Sequence, residues 1–391
     1  MKRGNHDPAR RVAPWTLAAL LLAESLLAQG ETEVQDDQSL SGASTAAINV
    51  SPAPMNGFVG DISIVNNNIF DLSDPAENKS LFRFANRLHI ITRQEVIERQ
   101  LLLQAGDVYS AQAAEESERL LRQNRYIHEA SVVPTQRENG VVDLEVTTTD
   151  VWTLIPKLQF SRSGGENDLA IGLKEQNLLG TGIAIEFAYR SDPDRDAKIL
   201  KFSDRNLGGS WYGLSTAYSS NSDGQDYAVE FGKPFYSLDA RNSNGLSVLD
   251  HDRVDSFYDR GEVSSEYRHQ ANRLATGYGW STGLQDDWVR RYFVGFVSDE
   301  HQFSETANAL YPPGPVPSDR KLHYPTIGIE FVEDRYEKAS NFEQIDRVED
   351  RYFGTRVRAQ LGYASEGLGS DRDALIINMN AQTGFGSSEK T

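Results

Sequence analysis

The chain has 391 residues, a formal net charge of -18 at pH 7 and no cysteine. This length allows two or more domains. The acidic balance argues against nucleic acid as a partner, because phosphate groups would be repelled, and the lack of cysteine excludes a disulfide framework. A mean hydropathy of -0.51 is too polar for a helical membrane protein, but a β-barrel tolerates it because only alternate residues meet lipid.

Basic residues and then an apolar run open the chain. The run covers residues 12–27. Ala28 follows it, and small and polar residues come next. This order predicts a secretory signal peptide, residues 1–28, so the mature protein is expected to be exported. A single uncleaved membrane anchor is the alternative, although the run is short for one. Residues 29–56 are rich in Ser, Ala, Gln and acids, which predicts a flexible linker.

Helix and strand signals alternate over a short distance in residues 57–150. The pattern around Ile62 predicts a first strand, and residues 74–86 are expected to include a short helix. Thr92 offers the hydroxyl that a helix N-cap needs, before a predicted helix over residues 93–103 with one apolar face.

A further helix is predicted from Ser110, as its N-cap, to about Asn124. Within it, Glu118 and Arg122 are four residues apart, the spacing of an ion pair along a helix. Two strands joined by an Asn-Gly turn follow, over residues 128–136 and 141–149. The order β-α-α-β-β predicts a two-layer α+β domain.

This segment resembles a polypeptide-transport-associated (POTRA) domain. The resemblance rests on Gly106-Asp107, on residues 118–122 (Glu-Arg-Leu-Leu-Arg), on Tyr126-Ile127 and on residues 142–146 (Val-Asp-Leu-Glu-Val). One such domain is present, whereas many members of the family have several.

Strict alternation marks the rest of the chain, residues 151–391. In Thr181–Arg190, large apolar residues alternate with small, polar or charged ones, which places them on opposite faces of a strand. The same pattern recurs about thirteen times, with no helices between strands. A soluble β-sandwich also alternates, but its polar set faces solvent and its apolar set fills a shared core. Here the smaller set mixes glycine and alanine with charges, which favours an antiparallel transmembrane β-barrel with a wet interior.

Six charged residues of the smaller set are expected to line the lumen, where simple solvation would explain them: Glu186, Arg190, Glu230, Glu330, Arg356 and Arg358. With thirteen strands, the long loop 302–320 would fall at the periplasmic end, where short turns are usual. Either that loop is unusual or the strand count is wrong by one.

Three glycine- or aromatic-containing turns, Asn177–Gly182, Asp204–Ser210 and Lys233–Tyr236, resemble periplasmic turns of the outer-membrane assembly factor superfamily, whose members include insertase barrels and bacterial surface antigens. Barrels of that superfamily have sixteen strands and an Arg-Gly-aromatic loop near the C-terminus. No Arg-Gly-Phe or Arg-Gly-Tyr occurs before Thr391. The chain is therefore expected to be a C-terminally truncated copy, with about thirteen of sixteen barrel strands.

The sequence offers little for an enzyme. The seven histidines are scattered, and neither a His-Glu-x-x-His helix nor a Gly-x-Ser-x-Gly elbow occurs. The acidic loop Asp192–Asp196 has the carboxylates of a calcium site but lacks the glycine and distal glutamate of an EF-hand. We therefore expect no enzymatic activity and assign no catalytic, cofactor-binding or metal-binding residue.

The resemblance implies a protein-assembly, insertion or translocation factor in the Gram-negative outer membrane, with its N-terminal domain in the periplasm. Substrate strands would be received by β-augmentation at the edge of the POTRA-like sheet and at a seam beside the first barrel strand, about residues 151–161. The implied partners are outer-membrane lipids, unfolded outer-membrane proteins or a secreted polypeptide, and accessory periplasmic proteins, but not nucleic acid. A passive pore or two-partner secretion translocator is one alternative. A structural surface antigen, whose acidic loops bind lipopolysaccharide through divalent ions, is another.

Overall fold

The structure is a computed structural model, which describes residues 56–163, 166–259, 262–306, 316–340 and 347–385. The expected signal peptide and nearly all of the expected linker lie outside these residues. The longest helix in the described part of the chain has twelve residues, and none of the helices there has the length and apolar character needed to cross a bilayer.

A small α+β domain comes first. Its three-stranded sheet has the order β1-β3-β2, with β1 parallel and β2 antiparallel to β3. Three helices lie between the first two strands in the chain. The elements are β1 (Phe58–Asn67), α1 (Ser80–Leu88), α2 (Gln94–Glu98), α3 (Ala111–Arg122), β2 (Ile127–Gln136) and β3 (Val141–Asp150).

The core of this domain lies between the sheet and the last two helices. Ile97 of α2 and Leu121 of α3 are fully buried against apolar residues of β2 and β3. Ser110 caps α3 as predicted, because its hydroxyl accepts a hydrogen bond from Ala113 N. The predicted helix over residues 93–103 was too long: α2 ends at Glu98, and its N-cap residue makes no side-chain capping bond.

A second sheet follows, with twelve antiparallel strands in the described residues, where about thirteen were predicted. Each strand pairs with its neighbour in the chain, except that a separate two-stranded hairpin (β14–β15) interrupts the connection between β13 and β16. The strands are β4 (Leu154–Ser163), β5 (Glu166–Glu175), β6 (Ala184–Ser191), β7 (Asp196–Asp204), β8 (Gly213–Asn221), β9 (Gln225–Lys233), β10 (Asn242–Asp259), β11 (Glu262–Gln285), β12 (Trp288–Glu305), β13 (Arg320–Glu333), β14 (Tyr336–Ser340), β15 (Val348–Tyr352), β16 (Thr355–Ala364) and β17 (Ala374–Thr383).

The long loop that was predicted at the periplasmic end, residues 302–320, lies at the opposite end of the sheet. The loop between β12 and β13 joins two strands at the end of the sheet away from the α+β domain, together with the connections β4–β5, β6–β7 and β8–β9. The periplasmic position predicted for this loop therefore came from the strand count, and the loop itself is not unusual. The acidic segment 250–259 belongs to β10, whose pairing with β11 continues to Asp259.

The large sheet has its apolar face outside and its charged face inside. Leu158, Phe187 and Met379 are 78%, 57% and 72% exposed on the outer face, whereas Glu186 and Glu330 of the other face are 8% and 1% exposed. Residues of β8, β12 and β16 line one cavity of about 300 Å³, so the sheet curves around the charged face. This arrangement is the one expected when lipid and not water contacts the outer surface.

Leu121→Ala should destabilise the α+β domain by about 2–5 kcal/mol, because it leaves a cavity in a fully buried position. Val133→Ala, at a position 52% exposed, is the matched control and should change stability by about 0.5 kcal/mol or less. Pulse proteolysis of the full-length protein in urea measures both. Equal effects would show that α3 does not pack in the domain core.

Candidate functional site

The α+β domain is bonded to the near end of the large sheet through three successive turns and one hairpin. At the first turn, between β5 and β6, Asn177 Nδ2 donates to Thr92 Oγ1 (2.7 Å), and Arg93 N donates to Gly180 O (2.9 Å). Gly180 has a φ of +72°, and a Cβ there would lie 2.4 Å from Ile91 O. Both the backbone angle and the close approach therefore require glycine.

Thr92, predicted as a helix cap, instead links this turn to the sheet of the α+β domain. Its amide and its hydroxyl donate to Asp150 Oδ2 at the end of β3 (2.7 and 2.9 Å). Burial raises the pKa of Asp150, against the lowering effect of the two Thr92 bonds. The buried pair sits where the domain passes into the large sheet, so it fixes the orientation of that passage.

The next two turns contact α2 and α3. Between β7 and β8, Asn206 Nδ2 donates to Arg99 O (2.9 Å). Between β9 and β10, Leu238 N donates to the carboxylate of Glu116 (2.7 Å). The sequence identified these turns by resemblance, but it gave no sign that they touch the domain.

The β14–β15 hairpin packs against α3. Asp350 accepts two hydrogen bonds from the Arg122 guanidinium, both 2.7 Å. The predicted Glu118–Arg122 pair is present, and Glu118 also contacts Lys338 Nζ (2.5 Å). Burial acts to raise the pKa of Glu118, but bonds from Lys338 and Arg122 outweigh it and lower that pKa. The hairpin therefore clamps the domain through buried, hydrogen-bonded charges.

Glu116 is the exception, because its carboxyl is buried and forms no ion pair within the part of the chain that the structure describes. Burial raises its pKa to about 7, while the Leu238 N–H and Arg119 act in the opposite direction. Asp334 and Asp239 add a smaller raising effect. The contact between α3 and the third turn is thus sensitive to pH.

Both edges of the small sheet are partly occupied. On β2, Val132 N donates to Glu118 Oε2 (3.2 Å) and Ala130 O accepts from Arg122 Nη1 (2.8 Å). On β1, Val59 exchanges two backbone bonds, both 2.8 Å, with residues 106–107. An added strand would therefore have to pair beyond these positions.

The first strand of the large sheet has an edge with no partner among the described residues. The bond from Gln176 N to Thr153 O (3.1 Å) shows that the odd-numbered residues of β4 bond to β5. The even-numbered residues, from Leu154 to Arg162, therefore direct their backbone groups to the open edge. Pro156, which has no N–H to donate, lies in this even-numbered set, as expected of proline in an edge strand.

The predicted lumen residues are paired more closely than simple solvation requires. Glu330 is bonded by Arg356 (2.8 and 2.9 Å) and by Arg291 (3.1 Å), and Lys157 contacts Glu186 (2.9 Å). Arg291 was not recognised from the sequence, because only the fold brings it to Glu330. Arg358 is the cross-strand neighbour of Glu330 on β16 and lies 4.7 Å from the Phe293 ring. Arg190 and Glu230 lie apart from this cluster: Arg190 contacts Asp192 (3.1 Å), and Glu230 is on β9 beside Ser215 and Ser247.

The acidic loop Asp192–Asp196 forms bonds to its own backbone. Asp192 Oδ1 accepts from the amides of Asp194 and Arg195, both at 3.0 Å. Within the ranges that the structure describes, no group of three or more histidine, aspartate or glutamate side chains is arranged to hold a metal ion.

One comparison with known protein families bears on the sequence resemblance. A family model described as POTRA, surface antigen variable number repeat, matches residues 82–151, so the predicted POTRA resemblance is confirmed. No curated protein matches the chain. Matching solved structures include BamA from Haemophilus ducreyi lacking POTRA domains 1-3, with 10% identity, a TM-score of 0.34 and coverage of 78% of this chain and 72% of that one. CdiB from Acinetobacter baumannii matches with 10% identity, a TM-score of 0.40 and coverage of 94% and 71%.

Glu116→Gln should remove the pH dependence of docking at the third turn. Because the docked pKa of about 7 exceeds the ordinary 4.5, docking is strongest below pH 4.5 and weakens as pH rises through about 7, by about 3 kcal/mol in all. Hydrogen exchange of the Leu238 amide, corrected for intrinsic rate, measures this in the full-length protein. Its protection should fall roughly a hundredfold between pH 4.5 and pH 8 in the wild type.

The glutamine variant keeps an acceptor for the Leu238 amide but cannot ionise. Its protection should stay constant over the same range. A wild-type amide whose protection did not change with pH would contradict the assignment.

Proposed function

We propose that this chain is an outer-membrane protein assembly or translocation factor of a Gram-negative bacterium, with the POTRA domain in the periplasm. The POTRA match and the outward apolar face of the following sheet support this proposal. The proposed activity needs no catalytic residue, because it consists of presenting hydrogen-bonding edges to a substrate chain.

The observation that carries the proposal is the open edge of β4. Residues 154–160 are all exposed, and the even-numbered residues offer backbone groups that β5 does not use. A substrate strand can add to this edge through main-chain bonds, which require little sequence specificity. The outward side chains of Leu158 and Phe160, 78% and 68% exposed, would lie on the lipid side of the new pair.

The POTRA domain would guide the substrate toward that edge. The middle of β2 is covered by the Glu118–Arg122 pair, and the first half of β1 is covered by residues 106–107. The second half of β1 is more accessible, because Val65 is 46% exposed, although Gln94 Nε2 donates to Ile64 O (3.0 Å) there. We assign the first substrate contact to this half, which is continuous with the junction at Thr92.

A translocation pore is the second candidate. The charged concave face, with Glu186 near Lys157 and Lys201, suits a water-filled passage better than a sealed plug. Conductance of the full-length protein in phosphatidylethanolamine–phosphatidylglycerol vesicles tests this reading. Large, constant conductance without any acceleration of barrel folding would favour a pore and count against assembly.

Leu158→Pro should slow assembly of a urea-unfolded outer-membrane barrel in those vesicles by roughly two- to tenfold. The substitution removes one open-edge N–H, a loss of about 0.5–1.5 kcal/mol, but leaves the bonds from β4 to β5 in place. Leu158→Ala is the matched control, because it removes the side chain and keeps the N–H. Folding is followed by the heat-dependent band shift of the substrate.

Hydrogen-exchange protection of β5 confirms in both variants that the ladder is intact. Slower assembly with proline alone supports strand addition at β4. Equal rates for the two variants, with β5 protected, would exclude this edge as the receiving one.

A further inference from the structure

Helix α1 carries an apolar face that the described residues do not cover. Leu81, Phe84 and Leu88 share this face at the i, i+3 and i+7 spacing, and they are 69%, 57% and 55% exposed. No residue of α1 is buried. Such a face in a nine-residue helix implies an apolar environment that is not provided by the described residues.

The opposite side of α1 fixes its orientation. Asn86 Nδ2 donates to Phe70 O (2.8 Å), and Asn86 Oδ1 accepts from Phe70 N (3.2 Å). The Phe82 ring stacks on Phe70 at a centroid distance of 4.2 Å. Because these contacts hold one side of the helix to the preceding loop, the apolar face is held outward and is not exposed by chance.

The charges of α1 are basic, in a chain that is acidic as a whole. Arg83 and Arg87 lie in the helix and Lys79 at its N-cap, and the helix contains no acidic residue. Acidic residues do occur in the preceding loop, where Glu77 accepts from the Asp71 amide (2.6 Å). An apolar stripe beside basic residues is the pattern of a helix that lies in the headgroup region of anionic lipid.

The position of α1 fits that environment. Ile91, three residues after the helix, packs against Gly180 of the first turn, and three residues span at most about 11 Å. Leu179 of the same turn is 55% exposed, and Trp152, just before β4, is 42% exposed. The apolar face of α1 is therefore close to the near rim of the outward apolar surface of the large sheet.

We propose that α1 is an interfacial helix that inserts Leu81, Phe84 and Leu88 into the periplasmic leaflet, while its basic residues contact anionic phospholipid. This proposal rests on the proposed outer-membrane location. Its consequence is that the POTRA domain has a lipid contact besides its bonds to the turns. That contact holds the domain close to the membrane beside the open edge of β4.

Single-cysteine variants test the proposal, because the chain has no native cysteine. An environment-sensitive fluorophore is placed at Phe84→Cys, at Glu98→Cys as an exposed control on α2, and at Phe187→Cys on the outer face of β6. The full-length protein is reconstituted in phosphatidylethanolamine–phosphatidylglycerol vesicles with brominated lipid as a quencher. The labels at residues 84 and 187 should shift to the blue and be quenched, and the label at residue 98 should do neither.

The three labels separate the possible failures. Quenching at residue 187 but not at residue 84 would overturn the interfacial helix and leave the membrane barrel in place. No quenching at residue 187 would overturn the outer-membrane location itself. A residue-84 label that is shielded from water but not quenched by lipid would assign the face to a polypeptide or to a second copy, which also contradicts the proposal.

The basic residues give a second, independent readout. Arg83→Glu combined with Arg87→Glu should reduce quenching at residue 84, and so should vesicles of phosphatidylcholine alone, because both remove the electrostatic attraction. Quenching that is unchanged in both cases would contradict recognition of anionic lipid.

Discussion

The inverted distribution of side chains across the large sheet is the constraint on which the rest of the structure depends. Phe187 is 57% exposed while its neighbour Glu186 is 8% exposed, so each strand places charge inside and apolar surface outside. In water this arrangement would be unfavourable on both faces, because apolar area stays hydrated and charges lose solvent. With lipid outside and a wet, ion-paired interior, both costs disappear. Lipid therefore takes the place of the packed apolar core that would cover this face in a soluble protein.

The same constraint explains why the near end of the sheet is so strongly bonded to the POTRA domain. Each of the three turns shares hydrogen bonds with the domain, and Leu238 of the third turn also packs with Val289 and Val332 in a small apolar cluster. Thr92, Glu116 and Arg122 supply the contacts from three different points along that domain. Because these contacts are polar and mostly buried, they fix direction more than they add stability. A domain held in this way has a fixed position relative to β4.

The sequence predicted the features that repeat locally and missed those that depend on distant pairing. Alternation identifies the face of each strand without knowledge of its neighbours, and Ser110 marked the start of α3. Thr92 was wrongly predicted to cap a helix, because a threonine hydroxyl can either cap a helix or bond to a distant residue. Its partner, Asp150, is 58 residues away in the sequence, so no local pattern indicates the bond. The Leu238–Glu116 bond spans 122 residues, so no local pattern announces it. The length of β10 could not be predicted either, because the strand runs on through an acidic segment, residues 250–259, with the composition of a loop.

The most direct test of the central claim is a scan of spin labels along residues 184–190 in the reconstituted full-length protein. Collision rates with oxygen, which concentrates in lipid, and with a water-soluble nickel chelate are compared at each position. We predict an alternation with a period of two, in which odd-numbered positions meet oxygen and even-numbered positions meet the chelate. Labels that collide with neither reagent at the odd-numbered positions, as in a packed soluble core, would contradict the account.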